Sequence, residues 1–125
     1  MRKSTVVSLR RRCLSLWGKI ILSRDPVCIV CGREPSKHPH HIFPKSRYRH
    51  LLFDLRNGAA LCIGDHYRAH YDPVRPVLRF QAHLGDRFNA LVFDAFNGRR
   101  RNPYGKKELA NIAVALQAEL KAGTE

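Results

Sequence analysis

Two short segments contain four of the seven histidines of this chain: PHHIFP at residues 39–44 and LCIGDHYRAH at residues 61–70. The first segment places His40 and His41 side by side. Adjacent histidines suit a site in which one imidazole holds a metal ion and the next, pointing elsewhere, takes a proton from water. The pattern therefore predicts a metal-dependent site built around residues 39–44.

The second segment carries His66 and His70, spaced i and i+4. Residues at this spacing lie on one face of a helix, so two imidazoles can reach the same ion. Asn57-Gly58, between the two segments, predicts a tight turn. Together the order predicts a strand, a loop, a short strand and a helix arranged around one metal.

The chain carries a large positive charge: 23 Lys and Arg against 10 Asp and Glu, for a net charge of +13 and a pI of about 10.4. Such an excess destabilises a compact protein by self-repulsion, and its common use is to bind polyphosphate. A basic ribosomal-type protein is the alternative interpretation. The length predicts a single domain, 1–125, with a basic helix at 1–25, a central core at 26–72 and a helical tail at 73–125.

Neither a membrane span nor a signal peptide is expected. No apolar run is long enough, and three arginines at residues 10–12 interrupt the N-terminal apolar residues too early for a signal-peptide core. We therefore expect a cytoplasmic protein with no membrane partner. Its cysteines would stay reduced, so Cys28-x2-Cys31 predicts a metal knuckle rather than half of a disulfide framework. Cys13 lies among the apolar positions of a helix, which predicts a small core residue.

Apolar periodicity predicts an α+β fold whose first element is an amphipathic helix ending near Arg24, stopped by Asp25-Pro26. Residues 41–43 are strand-like, and 59–62 are expected to pair with them. The metal helix is predicted over about 65–71. Two prolines, Pro73 and Pro76, are expected to end this helix and begin a linker.

The last third of the chain predicts two more amphipathic helices. One has its apolar positions within 88–96, with Asp86 as the N-cap and Gly98 as the C-cap. The other has its apolar positions within 109–120. The basic, breaker-rich segment 99–107 between them predicts the loop of a C-terminal helical hairpin.

The histidines, together with Asn57, carry a family resemblance. His40-His41, Asn57 and His66-x3-His70 resemble the HNH endonucleases (ββα-metal or His-Me finger fold), including the colicin-type DNases. The motif spans about residues 28–70. The tail is similar to phage-borne proteins of the recombination-associated NinG/Rap-like kind. The resemblance implies a DNA-cleaving enzyme of phage or prophage recombination, replication or packaging, acting in a bacterial or phage-infected host cell.

The resemblance also implies a role for each residue. His40 and His66 bind one divalent cation (Mg²⁺, Mn²⁺, Co²⁺, Ni²⁺ or Zn²⁺), with His70 as third ligand or phosphate contact. His41 is the general base that activates water. Asn57 either fixes the loop that orients the base or helps to ligate the metal. The implied products are a 5′-phosphate and a 3′-hydroxyl.

Cys28, Cys31 and Cys62 resemble the subgroup of this family that adds a structural zinc. The subgroup normally has a fourth cysteine, and this chain has Asp65 there. Zinc accepts carboxylates, so Asp65 is a candidate fourth ligand, and His38 is the alternative. A third possibility is that zinc is absent and the cysteines only pack.

Contacts to duplex or branched DNA are expected from basic side chains in three places: the loop after the base, the metal helix and the tail. These residues are Lys45, Arg47, Arg49, Arg68, Arg99, Arg100, Arg101, Lys106 and Lys107. No base-reading motif is visible, so backbone and shape recognition should dominate. Two other classes of function stay open: a catalytically silent, zinc-dependent DNA-binding module, and an RNA-binding or RNA-cleaving protein.

Overall fold

A computed structural model describes residues 5–98 and 102–124 of the chain. Within these residues the fold is α+β, with five α-helices and one two-stranded antiparallel sheet. In chain order the elements are α1 (Val6–Arg24), β1 (His38–His41), β2 (Gly58–Leu61), α2 (Ile63–Tyr71), α3 (Val77–Leu84), α4 (Asp86–Asn97) and α5 (Lys106–Thr124). No helix in the described residues combines the length and apolar character needed to cross a membrane.

Helix α1 begins at a capping box and ends where the sequence predicts. The Thr5 side chain accepts a hydrogen bond from the Ser8 amide, and the Ser8 hydroxyl accepts one from the Thr5 amide. The helix ends at Arg24, with Asp25 as its C-cap. Its apolar face is buried and includes Cys13, which is fully buried and therefore a core residue as expected.

Helix α5 packs along α1 rather than forming a hairpin with α4. Leu109, Ala113 and Leu116 of α5 join the buried face of α1 in one core cluster, and the Cys13 thiol donates to the Leu109 carbonyl at 3.3 Å. Helix α4 packs mainly on α3. The predicted C-terminal hairpin was wrong because an apolar face at helical spacing shows that a face is buried, not which neighbour buries it.

The sheet is displaced from its predicted position. β1 pairs with β2 in the register His38↔Leu61 to His41↔Gly58, so the strand begins before the predicted residues 41–43 and shares only His41 with them. The amides of Ile42 and Phe43 donate instead to the backbone carbonyl and the side-chain oxygen of Asn57. They therefore belong to the loop after the strand.

Gly58 does not form the predicted tight turn. Its φ of −136° is extended backbone, and the residue opens β2. A Cβ at this position would lie 2.6 Å from Ile21 Cδ1 and 2.7 Å from Trp17 Cζ2. Glycine is required here because α1 approaches the strand closely.

Helix α3 occupies the segment in which Pro73 and Pro76 predict a linker. Pro76 lies at the N-cap with φ −77°, where proline needs no amide hydrogen and is already set for a helix. In α4 the N-cap is Gly85, not Asp86, which is the first residue of the helix. The C-cap Gly98 is confirmed.

We predict that Gly58→Ala destabilises the protein by about 1–3 kcal/mol, because the added methyl overlaps two buried side chains of α1. The backbone conformation itself accepts alanine, so the cost is steric. Gly123→Ala is the matched control, since a Cβ there meets nothing within 4 Å. Urea unfolding of both variants measures the difference, and equal stabilities would contradict the close approach.

Candidate functional site

Strand β1 directs its histidines to opposite faces of the sheet. Side chains alternate along a strand, so His38 and His40 share one face and His41 takes the other. The His40 ring lies with its centroid 5.8 Å from that of Phe80 and 5.5 Å from that of His66. The His41 ring stacks on Trp17 of α1 at 4.0 Å and 6°.

Helix α2 brings His66 and His70 to the side of His40. The spacing of four residues places their rings 4.9 Å apart, and the His70 ring is 6.4 Å from that of His40. His70 is exposed, whereas His40 and His66 are half-buried. The three predicted ligands therefore face one another, as an open group that we call the histidine face.

Burial favours the neutral form of two of these imidazoles. The pKa of His40 is lowered to about 4, mainly by burial and in part by charge repulsion from His66, His70 and His41. The pKa of His66 is also lowered, first by burial and then by His38 and His70. The neutral form of an imidazole carries the nitrogen lone pair that a metal ion needs.

His41 has one ring nitrogen occupied. Its Nε2 lies 3.0 Å from the Leu52 carbonyl oxygen. A carbonyl only accepts, so Nε2 carries the proton and Nδ1 of the neutral ring carries the lone pair. Burial lowers the pKa of His41, the Leu52 carbonyl opposes this, and nearby Lys45 adds to the lowering.

Asn57 is fully buried, and its side-chain amide fastens the loop between the strands. Its Oδ1 accepts from the Phe43 amide at 2.7 Å, and its Nδ2 donates to the carbonyls of Phe43 and Leu51 at 3.1 and 3.2 Å. Of the two roles that the sequence left open, these hydrogen bonds correspond to fixing the loop. Leu51 immediately precedes the residue whose carbonyl orients His41.

Cys28, Cys31, Cys62 and Asp65 form a second cluster. One ligand atom of each lies within 4.8 Å of the others, closely enough to hold a metal ion such as zinc. This thiol cluster includes Asp65 and not His38, whose ring instead stacks over His66 at 5.0 Å. The fourth ligand position is therefore taken by the carboxylate.

Local backbone geometry forms the thiol cluster. Gly32, with φ +67°, closes the knuckle, and its amide donates to the Cys28 carbonyl at 2.9 Å. The Ile29 amide donates to the Ala60 carbonyl, which ties the knuckle to β2. Cys62 is the N-cap of α2, and its sulfur accepts from the Asp65 amide.

The two oxygens of the Asp65 carboxylate have different partners. Its Oδ2 lies 3.2 Å from the Cys28 sulfur and 3.3 Å from that of Cys62, and its Oδ1 pairs with Arg68 at 2.8 Å. Burial would raise the pKa of Asp65, but hydrogen bonds from the three thiols and from Arg68 lower it overall. Burial raises the pKa of Cys62 to about 11, so zinc must displace this proton on binding.

The basic residues expected to contact DNA are spread over several surfaces. Lys45, Arg47 and Arg49 are exposed after β1, and Lys106 and Lys107 are exposed in the first turn of α5. Arg68 is exposed but also holds Asp65. Arg99, Arg100 and Arg101 lie outside the described residues.

Two residues that support the sites were not identified from the sequence. Asp25, taken only as a helix stop, is a buried carboxylate bound by Arg24 and by the Ala60 amide. Trp17, taken only as an apolar helix position, supplies the ring under His41. A single acid and a single tryptophan carry no spacing signal that reveals such roles.

Comparison of the chain with models of protein families, with curated proteins and with solved structures found no match. Its function is therefore inferred from its own residues and their geometry.

We predict that the metal-replete protein holds one tightly bound zinc and that Cys28→Ser lowers both zinc content and melting temperature, because metal binding adds directly to folding free energy. Cys13→Ala is the matched control, a buried cysteine outside the cluster that should keep its zinc. Elemental analysis and thermal unfolding measure both quantities. Wild-type protein without zinc after reconstitution would contradict the assignment.

Proposed function

We propose that this chain is a metal-dependent endonuclease with a ββα-metal core, which hydrolyses DNA phosphodiester bonds to 5′-phosphate and 3′-hydroxyl ends. The observation that carries the proposal is the different surroundings of His40 and His41. The two neighbours point to opposite faces of β1, one toward His66 and His70 and the other into a fixed hydrogen bond.

The histidine face would hold the catalytic cation. His40 and His66 present neutral imidazoles from β1 and α2, and His70 supplies a third imidazole or contacts phosphate, both of which its exposure permits. A bound divalent cation would stabilise negative charge on the phosphate oxygens and on the leaving 3′ oxygen.

His41 would act as the general base. Its Nδ1 takes a proton from a water molecule whose oxygen attacks phosphorus, while the bond from phosphorus to the 3′ oxygen breaks. The 3′ oxygen leaves with a proton from solvent. The Leu52 carbonyl and the Trp17 ring hold the imidazole in one orientation and one tautomer, which is the positioning that such a base requires.

Asn57 would act as a positioning residue. Its amide joins Phe43, just after β1, to Leu51, just before the carbonyl that orients His41. Loss of this amide would release the loop and leave buried backbone groups without partners.

Charge supports a nucleic-acid substrate. The net charge of +13 suits a polyanion, and the exposed Lys45, Arg47 and Arg49 follow directly on the strand that carries His41. Contacts of this kind read the phosphate backbone rather than sequence.

A zinc-dependent DNA-binding module without cleavage is the second candidate. It is favoured by the thiol cluster, in which four ligand atoms lie within 4.8 Å of one another. Nicking of supercoiled plasmid with and without added metal separates the two candidates. Parallel digestion of RNA tests the substrate class.

We predict that His41→Ala lowers plasmid nicking by about 10²–10⁴-fold, because it removes the proton acceptor and no metal ligand. Zinc content and duplex-DNA binding should be retained. His50→Ala is the matched control, since the His50 Nε2 also lies 3.0 Å from a backbone carbonyl but away from the histidine face. Near wild-type turnover in His41→Ala would contradict the assignment of His41 as the general base.

The cation preference gives a further prediction. Imidazoles suit manganese, cobalt and nickel better than magnesium, which prefers oxygen ligands. We expect a lower half-saturating concentration for manganese than for magnesium in nicking assays, and a shift toward magnesium in His40→Asp. The opposite order in the wild type would show that substrate oxygens, not the three imidazoles, dominate the coordination shell.

A further inference from the structure

A groove of about 730 Å³ runs along α2 and the start of α3, outside the histidine face. Two exposed tyrosines of α2 and four arginines line it together with apolar side chains. The residues that matter for its chemistry are Tyr67, Tyr71, Arg33, Arg68, Arg75 and Arg79. The proposed nuclease mechanism uses none of these side chains as a base or catalytic ligand.

The two tyrosines form a ladder of aromatic rings on the surface. Tyr67 is 64 % exposed and Tyr71 is 74 % exposed, although large aromatic side chains usually bury most of their area. One helical turn separates them, their ring centroids are 5.0 Å apart, and their hydroxyls are hydrogen-bonded at 3.2 Å. Each ring therefore has one face exposed to solvent, and its contact with the other tyrosine holds it in position.

The groove is cationic, and most of its cations are unpaired. The side chains of Arg33, Arg75 and Arg79 form no ion pair with any residue in the described ranges. The two acids of the groove are Asp65, which Arg68 and the thiols engage, and Asp72, which accepts from the Arg75 amide. Arginine binds phosphate through paired donors and stacks on planar rings, so an anionic ligand with flat groups fits this lining.

Unpaired nucleotides have this combination of properties. Base rings stack on exposed aromatic side chains without regard to sequence, and the backbone follows a line of positive charge. In a duplex the base faces are covered by their neighbours, so the tyrosines would find no partner. An apolar protein segment would use Leu78 and the tyrosines but would leave the arginines unmatched.

We propose that this groove binds a stretch of unpaired DNA, with successive bases stacked on Tyr67 and Tyr71 and phosphates held by Arg75 and Arg79. The choice of DNA rests on the proposed function, whereas the choice of an unpaired strand rests on the groove itself. His66 and His70 precede the two tyrosines by one residue each on the same helix. A strand in the groove therefore passes within about one helix diameter, roughly 10 Å, of the histidine face.

The first test removes the rings. Zinc-loaded protein, without other added metal, is titrated against a labelled oligothymidylate and a labelled duplex of equal length. We expect Tyr67→Ala/Tyr71→Ala to weaken oligothymidylate binding about tenfold or more and to leave duplex binding unchanged. Phe93→Ala/Phe96→Ala is the matched control, two aromatics of α4 that are each 65 % exposed. No loss in the tyrosine variant, or an equal loss in the control, would overturn the proposal.

The second test removes the charges. Arg75→Gln/Arg79→Gln should reduce the salt dependence of oligothymidylate binding by about 0.7 in the slope of log affinity against log salt for each lost phosphate contact. Arg10→Gln/Arg11→Gln, on the exposed side of α1, should leave the slope as in the wild type. An unchanged slope in the groove variant would overturn the phosphate contacts.

These measurements are independent of cleavage. Tyrosine-dependent binding of oligothymidylate by a protein that never nicks plasmid would support the groove proposal and contradict the proposed nuclease activity. Nicking by a protein whose oligothymidylate binding does not depend on Tyr67 and Tyr71 would support the nuclease and contradict the groove proposal.

Discussion

The buried ion pair of Arg24 and Asp25 is the constraint on which the two candidate sites depend. The Asp25 side chain is fully buried, and its oxygens accept from Arg24 at 2.9 and 3.0 Å and from the Ala60 amide at 3.1 Å. A buried carboxylate without such partners costs several kcal/mol, so the end of α1 and the middle of β2 must meet here. Arg24 also donates to the carbonyls of Leu55 and Gly58 on either side of Asn57. This ion pair thus links the end of α1 to β2 and to the loop that precedes β2.

From β2 the arrangement extends in two directions. Ala59 is the register partner of His40, and the Ala60 carbonyl holds the cysteine knuckle through the Ile29 amide. The sheet has only two strands, so both faces need cover: α1 supplies Trp17 under His41, and α3 supplies Phe80 beside His40. Burial, more than charge, lowers the pKa of His40 and of His41.

Patterns that depend on local spacing could be predicted from the sequence, and patterns that depend on distant partners could not. Helix α1, helix α2 and the pair Cys28 and Cys31 follow from periodicity and ligand spacing, whereas Cys62 was added to this pair through the family resemblance. Helix α3 was missed because Pro76 was interpreted as a breaker, although proline also fits the first turn of a helix. The partner of α5 and the burial of Asp25 depend on tertiary contacts to residues far along the chain, which no local pattern records. The shifted position of β1 also depends on a distant residue, because the amides of residues 42 and 43 donate hydrogen bonds to Asn57.

Cys62 belongs to the thiol cluster and at the same time caps the helix that carries His66 and His70. Because Cys62 is the N-cap of α2, the position of its sulfur affects the nine-residue helix that places the two imidazoles. Loss of this sulfur from the N-cap position would remove both a cluster ligand and the acceptor of the Asp65 amide. The first turn of α2 would fray, and the imidazoles would lose their spacing to His40. The geometry of the histidine face is thus linked, through one buried sulfur, to the integrity of the thiol cluster.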